Sequence, residues 1–304
     1  MERWEVMAAW MARVYDRDLF RQSGYVAGGR LPRAEQAWRQ FCLIPIDLLQ
    51  MPSGKADDTV FRSVSAFIMY HWEAGGVAGL SLGNALCRRY NAAFTLLRSF
   101  VEFLLKGVLY QCLACSRFRE APGSALKSTD ALTMLAGHLS NMMQERHIDV
   151  NELESNSAAI FDLLTGDWML SAFRLEIDSI IPQLAEWGIL AEPHDDPARA
   201  VRELYGRLSE NVHQRIELTG IGRAIEEGAK IFEYPAPISA ESLSEFLDEF
   251  HLAMEVGVIA ELNLLCTAIP LDRLRPKCQR ILHNEAFGVA DLKQATELLE
   301  RWAA

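Results

Sequence analysis

A chain of 304 residues, half of them apolar and 23% charged, has the composition of an ordered globular protein, which excludes a disordered or low-complexity scaffold. Its formal charge of −11 excludes a surface that coats nucleic acid or anionic membrane, so either partner would have to be met by a local patch. Apolar residues recur at helical spacing nearly throughout and alternating β-branched runs are scarce, so the chain is expected to be all-α, a large helical bundle.

In chain order the periodicity predicts helices over 2–22, 33–49, 58–82, 84–118, 129–146, 150–165, 167–186, 197–216, 219–232, 241–268, 271–283 and 289–302. The opening "MERWEVMAAWMARVYDRDLF" carries acids and tryptophans from the start and lacks a basic stretch followed by an apolar run, so no signal peptide is expected. Gly, Pro and Ser gather into turns at "SGYVAGGRLP" and "MPSGKADD". "GGVAGLSLG" sets Gly75, Gly79 and Gly83 on one helix face, which either receives a ligand or partner helix or lets two core helices pack closely. The two most apolar windows are interrupted by Arg98, Glu102 and Lys106 and by Glu255 and Glu261. Neither reaches the ~20 mostly uncharged residues that a spanning helix needs, so no membrane segment is expected. "EPHDDPA" offers Asp195 or Asp196 as a cap before Pro197, and Ser239 in "EYPAPIS" caps the helix that follows it.

Several chemistries lack their motifs. "PSGKADDT" has Gly54 and Lys55 without the upstream glycine and following hydroxyl of a phosphate loop, and no HExxH occurs. Cys112-x-x-Cys115 lies within an apolar helix and has no second pair at zinc spacing. "GIGRAIEEG" follows a helix where a dinucleotide fingerprint requires a strand. His71 with Glu73, and His251 with Glu255, do not make the paired E-x-x-H of a di-metal bundle. Neither a metal nor a cofactor is expected. Cys42, Cys87, Cys112, Cys115, Cys266 and Cys278 lie mostly in apolar runs, as free thiols do, which suits a reducing, cytoplasmic compartment. The densest basic run, "RLRPKCQR", holds Arg273, Arg275, Lys277 and Arg280 and is either a solvated helix face or a local anion site.

The stretch "YGRLSENVHQ", from Tyr205 to Gln214, is the richest in reactive side chains. At about 100° per residue, Arg202, Tyr205, Ser209 and His213 share a narrow arc, with Arg207 and Asn211 in a second stripe. A histidine titrates near working pH and an arginine can grip a phosphate at two points, a pair chemically adequate for metal-free cleavage of a phosphodiester. The alternative is that His213 caps a helix end or bonds a tyrosine inside the bundle. Upstream, Arg98 and Glu102 stand four apart on a helix dominated by Leu, Phe and Val. They are either a self-satisfying ion pair at the bundle edge or a charged face on which Glu102 meets His213 or an arginine of the other helix.

An arginine followed a few residues later by a histidine on a late helix, here Arg207 and His213, resembles the HEPN superfamily of all-helical nucleotide-binding and ribonuclease domains. The pairing of "LLRSFVE" with "YGRLSENVH" is similar to an uncharacterised bacterial HEPN-like group that joins a LLRxxxE helix to a YxxLSxxxH helix. The resemblance covers about 60–232 and implies a HEPN-like core over 58–232, between an N-terminal helical extension at 1–57 and C-terminal helices at 233–304 packed on the core. It implies a homodimer that brings two motifs together, and RNA cleavage without metal in a bacterial defence or toxin system. Arg207 would stabilise the scissile phosphate and His213 would act as acid or base at the ribose 2′-hydroxyl. Arg98 and Glu102 would support them, and Arg202, Tyr205, Ser209 and Asn211 would bind substrate. Active members usually place a polar residue after the arginine, where this chain has Leu208. A non-catalytic helical interaction module in a multi-protein defence complex is the competing expectation, and the seven tryptophans and the apolar helix 241–268 suit an interface.

Overall fold

The computed structural model of the chain describes residues 17–49, 58–119, 130–165, 176–190, 197–212 and 238–304. It is an all-α helical bundle: α1 (Arg17–Ala27), α2 (Arg30–Leu49), α3 (Asp58–Ser63), α4 (Ser65–Leu86), α5 (Tyr90–Ala114), α6 (Ser116–Arg119), α7 (Asp130–Glu145), α8 (Val150–Ser155), α9 (Ala158–Thr165), α10 (Ile177–Glu186), α11 (Pro197–Val212), α12 (Ala240–Ala268), α13 (Leu271–Leu282), α14 (Glu285–Ala290) and α15 (Lys293–Ala303). No strand occurs among the described residues, and no described helix is long and apolar enough to cross a membrane.

Two long apolar helices, α4 and α5, fold back on each other across the turn at Cys87–Arg89, and α12 packs on α5 and α2. Phe41 of α2, Phe67 of α4, Phe100 of α5 and Phe246 and Phe250 of α12 are all fully buried in one continuous core, so helices from both ends of the chain share it with the middle. Glycines set the closest crossings. A Cβ on Gly107 would fall 2.4 Å from the Tyr70 Cβ, and one on Gly79 2.7 Å from the Trp38 ring. The Trp38 indole also donates to the Gly75 carbonyl at 2.9 Å, so the face of Gly75 and Gly79 serves close packing of α4 on α2.

Several helices are shorter than the period predicts, and the break at Val64 has a distant cause. The helix expected over 58–82 breaks at Val64, where the N–H groups opening α4 find distant acceptors: Ala66 N–H donates to Ser157 Oγ at 2.9 Å and Phe67 N–H to Gln111 Oε1 at 3.2 Å. Ser157 Oγ donates to Gln111 Oε1 at 2.9 Å, and Gln111 Nε2 donates to the Ser63 carbonyl at 2.6 Å, so both sides of the break are satisfied. Gln111→Leu strands these buried groups and is expected to cost about 2–4 kcal/mol, read as a lower urea midpoint.

The helix expected over 150–165 is cut at Asn156, and the one over 289–302 at Asp291, which takes left-handed backbone with φ 52°. The turn in "SGYVAGGRLP" narrows to Gly28 and Gly29, with Gly28 at φ +53°, and α1 continues through Ser23 and Gly24. Ser239 caps α12 by accepting from Ser242 N–H at 3.1 Å. The expected helix 219–232, the caps at Asp195 and Asp196, and nearly all of "MPSGKADD" lie outside the described residues.

Candidate functional site

The site is built where α11 crosses α5. Val201, Leu204 and Leu208 recur at helical spacing on α11 and are completely buried, which fixes the rotation of the helix. Tyr205, beside that stripe, is thereby turned toward the polar face of α5. Arg98 donates to the Tyr205 hydroxyl from Nε at 3.0 Å and from Nη2 at 2.8 Å. The hydroxyl in turn donates to Glu102 Oε1 at 2.7 Å, and Arg98 Nε lies 3.2 Å from the same carboxylate oxygen. The guanidinium carbon also sits 5.0 Å from the Tyr205 ring centroid, within cation–π range. Arg98 and Glu102 therefore form an ion pair, and Tyr205 is its third member.

Burial and the hydrogen bond to Glu102 push the Tyr205 hydroxyl above its ordinary value while Arg98 pulls the other way, so the phenol keeps its proton at neutral pH. The side chains of Arg98 and Glu102 are 26% and 30% exposed, so solvent reaches a guanidinium, a carboxylate and a neutral phenol at one point. Such a group can bind an oxyanion through the arginine, accept a proton at the carboxylate, and hold both in place through the phenol.

The other expected residues divide. Ser209 is half-buried one turn beyond Tyr205 and donates back to the Tyr205 carbonyl at 2.7 Å. Arg202 is exposed. Arg207 points elsewhere: its Nε and Nη2 bind the two oxygens of Glu249 on α12 at 2.5 and 3.0 Å. Asn211 donates to the Arg207 carbonyl at 3.1 Å. Leu208, in the position next to Arg207, is core, so a polar side chain there would be buried. His213 lies outside the described residues.

A second constellation escaped the sequence reading. His71 of α4 and Glu261 of α12 are 2% and 0% exposed and meet with Nδ1 2.5 Å from Oε1. Among the described residues His71 Nε2 and Glu261 Oε2 have no hydrogen-bond partner. Burial pushes the Glu261 carboxyl up to about 7, against the pull of His71. Burial lowers His71, but the charge and hydrogen bond of Glu261 and the Cys42 backbone outweigh it, and the net direction is upward. The signal was present: each is a polar residue in an apolar stretch of its helix, and such residues must find one another.

His251 and Glu255 each find a backbone partner. His251 Nε2 donates to the Ala290 carbonyl at 2.8 Å, and Glu255 Oε1 accepts from Gln294 N–H at 2.8 Å in the first turn of α15. A cleft of about 150 Å³ at His251 is lined by Arg30, Arg33, Leu247 and Asp248, but Arg30 pairs with Asp248 at 3.4 Å and Arg33 with Asp291 at 3.1 Å, which balances its charge. The basic run is split: Lys277 donates to the Leu48 carbonyl, while Arg273, Arg275 and Arg280 are exposed on α13.

All six cysteines are free, and burial pushes the Cys42 thiol up to about 12, with the Glu261 charge adding to it. Cys112 is fully buried and its thiol is raised by burial as well. Among the described residues no group of three or more His, Cys, Asp or Glu side chains is placed to hold a metal. No protein family, curated protein or solved structure matches this chain.

Proposed function

We propose that the chain is a HEPN-like, metal-independent endoribonuclease of a bacterial defence or toxin system, acting in the cytoplasm, with its site at the α5–α11 crossing. The meeting of Arg98, Glu102 and Tyr205 carries this reading, because it joins the two helices that the HEPN resemblance pairs. Arg98 holds the scissile phosphate, and Glu102 and Tyr205 orient it. His213, eight residues beyond Tyr205 and on the same arc by its spacing, is the acid or base at the ribose 2′-hydroxyl. Arg207, bound at both carboxylate oxygens of Glu249, takes no phosphate in this reading, although the HEPN resemblance implies that role for it.

Purified protein is expected to cleave RNA in EDTA and to leave 2′,3′-cyclic phosphate ends. His213→Ala should reduce cleavage by about 100-fold or more while circular dichroism is unchanged. Full activity in that variant, or RNA left intact by the wild type, removes the assignment.

The charge balance within both arginine pairs favours a second reading, a non-catalytic module that binds a protein of the same defence complex. It requires intact RNA together with a stoichiometric protein partner in the native complex.

A further inference from the structure

We infer that the outward face of α4 is a self-association surface that takes a second copy of this chain. Met69, Trp72 and Leu80 are 42%, 56% and 62% exposed, three large apolar side chains on one helix. At about 100° per residue they share with Gly76 and Gly83 an arc roughly 80° wide, one continuous apolar stripe. Both glycines have open space where a side chain would stand, so the stripe is notched at two points. Leu43, Phe61, Leu271 and Val289 are also exposed but stand singly on other helices, and Tyr25 and Val26 are neighbours at the end of α1.

The order of these residues selects the occupant. Trp72 and Leu80 lie four residues on either side of Gly76, and Met69 and Gly83 lie seven on either side. Two copies crossing antiparallel on a two-fold axis at Gly76 would set Trp72 of each against Leu80 of the other, and Met69 of each into the notch at Gly83 of the other. Gly76 on Gly76 lets the backbones approach at the axis. A two-fold interface needs a patch complementary to itself, whereas an unrelated partner imposes no such symmetry.

Charge points the same way. In a chain of net −11 this stripe has a single ionised side chain, Glu73, at its border, so two copies meet here without stacking like charges. Size sets the strength. From Met69 to Gly83 the stripe is about 21 Å long at ~1.5 Å per residue. A single crossing of that length covers on the order of 800–1,000 Å² in total, at the low end for specific interfaces, so a dimer in micromolar equilibrium with monomer is expected.

The stripe lies on α4 and shares no residue with the α5–α11 crossing, and self-association is measured without RNA, so its failure and that of the nuclease reading are separable. Sedimentation velocity of the full chain between about 1 and 100 μM should show monomer converting to dimer. Gly76→Leu adds a side chain at the axis, into space that is open in the monomer, and exchanges glycine for a better helix former. It should stay monomeric with unchanged circular dichroism, as should Trp72→Asp combined with Leu80→Asp. Gly76→Cys should cross-link to itself under mild oxidation, and Val289→Cys should not. A wild type that is monomeric at the highest concentration, or a dimer that survives both Gly76→Leu and the double aspartate variant, overturns the inference.

Discussion

Glu261→Ala is expected to destabilise the fold by about 3–5 kcal/mol, seen as a large fall in denaturation midpoint, because it leaves His71 buried without its partner and opens a cavity between α4 and α12. Glu261→Gln should cost less, since the amide still bonds the imidazole, and it should change the pH dependence. The Glu261 carboxyl is raised by burial from 4.5 to about 7, so between those values the folded chain holds a proton that the unfolded chain has lost. His71 is also shifted upward, which acts in the same direction. The contribution of the pair is therefore present in acid and is lost as pH rises through about 7. Melting curves taken across this range should show wild-type stability falling with rising pH, more steeply than that of Glu261→Gln. Parallel slopes for the two proteins would mean that the pair does not titrate in this window.

The features legible in the sequence are those fixed within a few residues. The helical period, the Ser239 cap and the shared face of Arg98 and Glu102 all follow from local spacing, and the structure has each. Breaks supplied from a distance were not legible. The cut at Val64 depends on Gln111 and Ser157, each more than forty residues away, and nothing near Val64 announces it. His71 and Glu261 are 190 residues apart, and only the shared oddity of a polar group in an apolar stretch links them.

Arg207 shows the intermediate case. Two positions beyond Tyr205 lie about 200° around a helix, so the spacing already separated it from the Tyr205 arc, but its partner Glu249 sits 42 residues downstream and could only be found by folding. Glu255 is similar, a charge that looked out of place in an apolar window until α15 came to rest on it.

The same geometry ranks the two arginines. If the α5–α11 crossing is the reactive centre, Arg98→Ala should lower kcat/KM for RNA by about 10²–10³-fold, the usual consequence of removing a charged donor from a developing anion. Arg98→Lys should recover little of this, because an ammonium cannot bond the Tyr205 hydroxyl from two positions and still reach a phosphate. Tyr205→Phe removes the oxygen through which Arg98 and Glu102 are both held, so a loss of roughly tenfold with the fold intact is expected. Arg207→Ala should cost less than about tenfold, since its guanidinium is already bound at both ends of the Glu249 carboxylate. Steady-state kinetics on the four variants, with circular dichroism as the folding control, gives the order directly. The reverse order would return the phosphate to Arg207, and Glu249 would then have to release it on RNA binding; Glu249→Gln would raise activity in that case and leave it unchanged in ours.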